Sequence, residues 1–216
     1  RIDGGSLIEA LSDNIDRFGL DNVAVLCRSN KRANRYNAGI RSMVLGREER
    51  LCRGDKLMVV KNCYQFLDDV PELDFIANGD VASLVRISHY EERYGINFAD
   101  ALLSFPDYDG VEINAKIILD TLESESPSLD KDKQKSLFEG VYEDYSDIRS
   151  KKERYKKVKE DKYFNALQIK YATAITCHKA QGGQWDCVFI DNPFWRETTE
   201  EDCKWLYTAI TRAVKK

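Results

Sequence analysis

No stretch of this 216-residue sequence approaches the roughly 18 consecutive apolar residues that a membrane-crossing helix needs, and its first residues lack the basic, apolar, small-residue order of a secretion signal. A water-soluble protein of the cytoplasm with no membrane partner is the expectation. The six cysteines, at positions 27, 52, 63, 177, 187 and 203, form no C-x-x-C pair and have no histidine cluster beside them. No metal site is expected on them, and the thiols read as reduced and mostly interior. The glycine-rich G-x-x-x-x-G-K-[ST] loop, whose backbone N–H groups cradle a triphosphate, is also missing. The acidic residues between 107 and 147 show no spacing suited to a metal-dependent nuclease.

The chain does have ample apolar content, 43% of residues, which suffices for one large domain or two small ones. Its formal net charge of −4 argues against bulk electrostatic attachment to nucleic acid. That average conceals segregation. Residues 28 to 61 hold ten Lys/Arg against three Asp/Glu, residues 107 to 147 hold four against twelve, and residues 149 to 162 hold eight against three. Such blocks fit either a face that tracks phosphates or ordinary solvated helix faces.

Apolar periodicity predicts a helix over Leu7 to Phe18, with Ser6 as its cap and Glu9 completing a capping box. Val23 to Cys27 reads as a buried strand that feeds Arg28, Ser29 and Asn30, and then a basic helix from Lys31 to Val44. Together they make one βα unit. Gln168 to Thr176 and Cys187 to Ile190 read as further strands, and Glu200 to Ala213 as a packed helix. The middle is different. Lys56 to Val60, Phe75 to Ala77, Asp80 to Ile87 and Phe98 to Phe105 are short strands with a turn at Asn78-Gly79, as in a small antiparallel sheet or barrel. Ser128 to Ile148 and Lys151 to Lys162 read as polar helices too charged to form a core alone.

Two blocks near the end carry chemistry. Thr176-Cys-His-Lys-Ala-Gln-Gly-Gly-Gln-Trp-Asp186 resembles motif V of superfamily 1 helicases, and Tyr207-Thr-Ala-Ile-Thr-Arg-Ala213 resembles their motif VI. The wording is most similar to the RecD-like branch, the type with a UvrD-like C-terminal domain found in the helicase subunit of exodeoxyribonuclease V. The resemblance implies an α/β, RecA-like second lobe of a P-loop NTPase, with a mainly parallel sheet and flanking helices. The wording of Gly54 to Asn62 and Ile76 to Ala82 likewise resembles the SH3-like β insertion of that branch, to which the charged helices read from the sequence add an extension that the resemblance does not lead one to expect. On this reading residues 1–47 and 166–216 are the discontinuous lobe, and 48–165 the insertion. Lacking the phosphate loop, opening on Arg1 and stopping after the second block, the sequence is expected to be half of a motor in a longer protein.

The same resemblance assigns roles. Arg212 would be the arginine finger, a cation placed against the γ-phosphate in the transition state. Its alternative is a surface arginine on an amphipathic helix. Gly182, Gln184 and Gln181 would face the nucleotide, with Gln184 standing where many relatives carry Glu. Thr176, His178 and Lys179 would lie near the DNA backbone. Ser29, Asn30 and Lys31, leaving a strand at its carboxyl end, could clasp a phosphate or merely cap a helix. Tyr64, Phe66 and Phe75 could stack on bases or fill a core. Arg1 lacks the wording of motif IV and receives no role.

The implied ligands are ATP and Mg²⁺, held mainly by an N-terminal RecA-like lobe, and single-stranded DNA. Nuclease or recombination subunits are candidate partners, 5′-to-3′ translocation is the expected polarity, and DNA recombination or repair the expected process. The competing reading is a helicase-derived structural or interaction module without motor activity.

Overall fold

The computed structural model describes residues 5–68, 70, 73–191 and 198–215. Arg1 lies outside them. The chain divides into two compact units, one of residues 1–50 and 171–216 and the other of residues 51–170.

The first unit is built on a parallel sheet. Helix α1 (Leu7–Phe18) precedes strand β1 (Val23–Cys27), which runs into helix α2 (Asn30–Gly39) and a π-helical turn at Ile40–Val44. From the far end of the sequence come β7 (Ala174–Thr176), β8 (Cys187–Ile190) and helix α5 (Glu200–Ile210). The sheet order is β7-β1-β8, and both pairings are parallel. Val23 to Cys27 and Cys187 to Ile190 thus lie side by side, as expected. All five β1 residues are buried, because helices cover parallel strands on both faces and leave no polar side to alternate with. Leu11, Ile15, Val25, Ala33 and Ile40 are the centre of the core that α1 and α2 form on the sheet.

Helix ends show which capping signals operate. Ser29 takes an extended conformation and its hydroxyl accepts from the Arg32 N–H at 3.3 Å, the geometry of an N-cap. Ser6 instead has helical dihedrals and makes no side-chain cap bond, so the expected capping box before α1 does not form. A complete box does form at α5, where Thr199 and Asp202 bond reciprocally. That helix ends at Ile210, three residues short of the expected Ala213.

The second unit is a closed five-stranded barrel, β2-β3-β4-β5-β6. Its strands are β2 (Lys56–Val59), β3 (Val81–Arg93), β4 (Ile96–Phe105), β5 (Val111–Ile118) and β6 (Leu167–Tyr171), the last reaching the boundary between units. The Val60 N–H donates to Gln168 O at 2.8 Å across the closing seam. Strands β3 and β4 form a hairpin through Tyr94-Gly95, both at positive φ, as a two-residue turn matching strand twist requires.

Three strand expectations need correction. Gln168 to Thr176 is two strands: β6 joins the barrel, whereas β7 joins the parallel sheet. Phe75 to Ala77 contributes only an isolated bridge, Cys63 to Ile76. Strand β5 was not expected at all, although Val111, Ile113, Ala115 and Ile117 alternate as a half-buried strand should.

Between β5 and β6, helices α3 (Lys131–Asp144) and α4 (Lys151–Glu160) cover one end of the barrel. They are too polar to make a core by themselves, and they do not have to. Leu137 and Val141 from α3 and Val158 from α4 join Ile96, Phe98, Ile118 and Tyr163 in one buried cluster. Tyr64 and Phe75 are not core residues: they are 68% and 39% exposed, with ring centroids 5.4 Å apart.

Candidate functional site

Parallel strands all end at the same edge of a sheet, so the loops leaving β1 and β7 converge at the carboxyl edge of the first unit. Arg28 follows β1 there. Its guanidinium pairs with Asp202 of α5 and lies 5.2 Å from the centroid of the Trp205 ring. Asp191, just after β8, is buried and receives the guanidinium of Arg32 and, at 3.1 Å, the hydroxyl of Tyr36. The Asp191 N–H itself donates to Leu26 O at 2.9 Å. Burial, reinforced by the Asp191 charge, pushes the Cys27 thiol up to about 12, so it is an inert interior group.

The first sequence block forms the turn after β7. Thr176 O accepts from the N–H groups of Lys179 at 2.9 Å and Ala180 at 3.1 Å, winding residues 176 to 180 into a helix-like turn. This buries Ala180 and leaves His178, Gln181, Gly182 and Gln184 exposed. Lys179 is half-buried, and loss of water around its ammonium lowers its pKa. The two glycines have separate reasons. Gly182 has φ +89°, which a side chain would strain, whereas a Cβ on Gly183 would come within 2.5 Å of the Trp185 ring.

The second block closes onto the first. The Trp185 N–H donates to Arg212 O at 3.0 Å, the Val214 N–H donates to Trp185 O at 2.9 Å, and Trp185 bridges Ala213 in parallel register. Arg212 is half-buried. Its guanidinium donates to Thr208 O (3.2 Å), Gly183 O (3.3 Å) and Thr211 Oγ1 (3.2 Å). As an arginine finger, this side chain was expected to reach across an interface towards the γ-phosphate. It is instead folded back, because α5 ends at Ile210 and the turn that follows directs the guanidinium onto the carbonyls of Thr208 and Gly183.

The sequence-derived residues therefore fall into two neighbourhoods. Thr176, His178 and Gln181 line a cleft of about 500 Å³ with Arg28, Lys204, Trp205 and Thr208. Gly182 and Gln184 flank Gly183, the residue that Arg212 touches. Gln181, assigned to the nucleotide, faces the cleft with the residues assigned to DNA. Ser29, Asn30 and Lys31 start α2 immediately after Arg28, and Ser29 is occupied as a cap. Sequence reasoning overlooked Trp205, Lys204 and the Asp202 partner of Arg28. The available signal was the i, i+3 spacing of Asp202, Trp205 and Thr208 on one face of α5. Among the described residues no group of three or more His, Cys, Asp or Glu is placed to hold a metal ion, and no helix is long and apolar enough to cross a membrane.

Residues 171–216, which contain both blocks, match the family model of the UvrD-like helicase C-terminal domain. No curated protein matches the chain. Among solved structures the chain is similar to the Pif1 helicase from Candida albicans, with 13% identity and a TM-score of 0.42 over 96% of this chain and 48% of that one. The chain spans about half the length of that structure.

Proposed function

We propose that this chain is the second motor lobe of an ATP-dependent superfamily 1 DNA helicase of the RecD-like type, translocating 5′ to 3′ in DNA recombination or repair. The observation that carries the reading is the match of residues 171–216 to a helicase C-terminal domain, together with the contact between the two blocks inside that segment. On this reading the first unit is the RecA-like lobe and the barrel with its helices is an SH3-like insertion.

Phosphoryl transfer needs a cation against the charge that develops on the γ-phosphate. Arg212 is that cation, held in reserve by the Gly183 and Thr208 carbonyls until ATP and a first lobe offer it stronger anionic acceptors. ATP and Mg²⁺ would be held mainly by that first lobe, which carries the phosphate loop this chain lacks. Gly182 and Gln184 sit beside the finger and would meet the nucleotide. The cleft lined by Arg28, Lys204, Thr176, His178 and Trp205 combines two cations, a hydroxyl and aromatic rings, the groups that hold the backbone and bases of single-stranded DNA.

The test uses Arg212→Ala in a longer protein that contains the first lobe. DNA-stimulated ATP hydrolysis should lose roughly a thousandfold in kcat with nucleotide affinity little changed, and the 216-residue chain alone should not hydrolyse ATP. Hydrolysis within a few-fold of the parent would instead favour a helicase-derived interaction module, in which the bonds of Arg212 are purely structural.

A further inference from the structure

Helix α4 is the most basic element of an acidic chain. From Lys151 to Lys162 there are seven Lys/Arg and three Asp/Glu, against a formal net charge of −4 for the whole sequence. Within α4 only Val158 is buried and Arg154 half-buried. Arg154 anchors the helix from below, its guanidinium 3.7 Å from the Tyr142 ring centroid. At 3.6 residues per turn, Lys152, Tyr155, Lys156 and Lys159 then share the opposite, outward face.

Of the three acids of this segment, Glu153 lies exposed in the first turn of α4, and the other two are hydrogen-bonded or ion-paired. Asp161 is turned inward, accepting from the Tyr145 hydroxyl at 3.0 Å and the Tyr163 N–H at 2.8 Å. Glu160 is shared by Lys156 at 3.7 Å and Lys157 at 3.4 Å. Among the described residues no carboxylate ion-pairs with Lys151, Lys152, Lys159 or Lys162. On α3, Asp144 pairs with Arg93 and Glu139 with Lys135. Like charges at i, i+3 and i, i+4 cost a helix stability rather than adding to it, so the row is a local liability that an external polyanion would relieve.

The chemistry of the face selects the polyanion. Lysines are flexible point charges suited to phosphate oxygens rather than to reading base edges. A ten-residue helix is a straight rod about 15 Å long, which matches the regular backbone of a duplex. The one ring on the face, Tyr155, is 47% exposed, but Lys159 lies 4.8 Å from its centroid and Phe138 5.8 Å from it. It is therefore poorly placed to stack on the bases of a single strand, and no apolar face is present to enter a lipid surface. We propose that the outward face of α4 binds the phosphate backbone of double-stranded nucleic acid through Lys152, Lys156 and Lys159. This inference stands on the second unit alone and does not rest on the motor reading.

The experiment is a fluorescence-anisotropy titration of a labelled ~20-bp duplex with the intact chain between about 50 and 200 mM salt. The Lys152→Gln, Lys156→Gln, Lys159→Gln variant should weaken binding at least tenfold and flatten the log Kd against log salt slope by about 2.7, near 0.9 per lost phosphate contact. Lys152→Gln alone should flatten it by about 0.9, which keeps the test readable if the triple variant folds poorly. A charge-matched variant on exposed residues elsewhere, Arg17→Gln, Arg53→Gln, Lys61→Gln, should bind within twofold of the parent. Equal loss in both triple variants, or none in the first, would overturn the proposal. So would a ~20-nucleotide single strand that binds as well as the duplex and is lost in parallel, or anionic vesicles that bind through this face when the duplex does not.

Discussion

The two units solve the problem of unpaired strand edges in opposite ways, and the solutions determine where each can bind something. The barrel closes on itself, so its backbone groups are consumed between strands and only outward side chains remain to meet a partner. Its strands alternate accordingly, as in the buried and half-buried residues of β4. The parallel sheet stays open. On the described strands β7 is an edge, and Asn37 of α2 occupies it: the side chain accepts from Ala174 N at 2.7 Å and donates to Ala174 O at 2.8 Å, standing in for a missing strand. The open sheet keeps convergent strand ends: the first sequence block leaves β7 at the carboxyl edge and runs on to the start of β8, where Trp185 meets Arg212 of the second block. The residues to which the two blocks assign chemistry thus fall on the open unit, the one with convergent strand ends.

The sharpest way to break this comparison is to unfold one unit and watch the other. Phe98 is fully buried in the barrel, with its ring 5.3 Å from Tyr163 in an edge-on contact. Phe98→Ala should cost the second unit about 3–5 kcal/mol. Hydrogen exchange read strand by strand should show β3, β4 and β5 losing protection while β1 and β8 retain theirs. If the amides of β1 lose protection to the same degree, the two units fold as one and the division has no energetic meaning.

What was legible in the sequence follows the same divide. Strands β1 and β8 declare themselves as short apolar runs, β1 because a strand buried along its whole length needs no polar positions, whereas β8 is only half-buried. Barrel strands are harder to read. Strand β3 runs to Arg93 through Arg86, Ser88 and His89, and a register shift between Ser88 and Glu91 breaks its alternation, so only its first half is recognisable. Between β6 and β7 the residues Ala172 and Thr173 carry neither Gly nor Pro, and nothing local says that the chain changes sheets there. In the candidate site, the two blocks were readable because their residues are contiguous. The pairing of Arg28 with Asp202, 174 positions apart, and the fold-back of Arg212 onto Gly183 belong to tertiary structure, and their one local trace is the spacing of Asp202, Trp205 and Thr208 on α5.

Asn37 tests the open half of the comparison. It is 2% exposed, and replacing it with Leu keeps the volume but strands the N–H and C=O of Ala174 without their partner. Two buried backbone groups left unsatisfied should cost about 2–3 kcal/mol in urea denaturation, with the loss of exchange protection confined to β7 and β1. A cost below about 0.5 kcal/mol would mean that water reaches this edge and that the side chain is not acting as a surrogate strand.

The smallest effect separates the two buried environments by pH. Cys27 closes β1 against Asp191, and burial with that charge raises its thiol from 9.0 to about 12 in the folded state, with Arg32 opposing part of the shift. Cys63, in the barrel unit, is also raised by burial, but there hydrogen bonding with the Gln65 backbone and the charge of Lys61 oppose the rise, and no anion reinforces it. The sign follows from proton counting. Below pH 9 both folded and unfolded thiols are protonated and the group has no effect on the slope. Above it the unfolded chain releases a proton that the folded chain keeps, so each thiol lowers stability as pH rises towards its folded pKa, by up to about 1.4 kcal/mol per pH unit. Cys27→Ala removes one such term. The stability gap between parent and variant, measured by urea denaturation at pH 8 and again at pH 10, should therefore shift in the variant's favour by about 1 kcal/mol. Cys63→Ala should shift by less. A gap that stays constant for Cys27→Ala would mean that this thiol titrates alike in both states, and that neither burial nor Asp191 holds its proton at the end of β1.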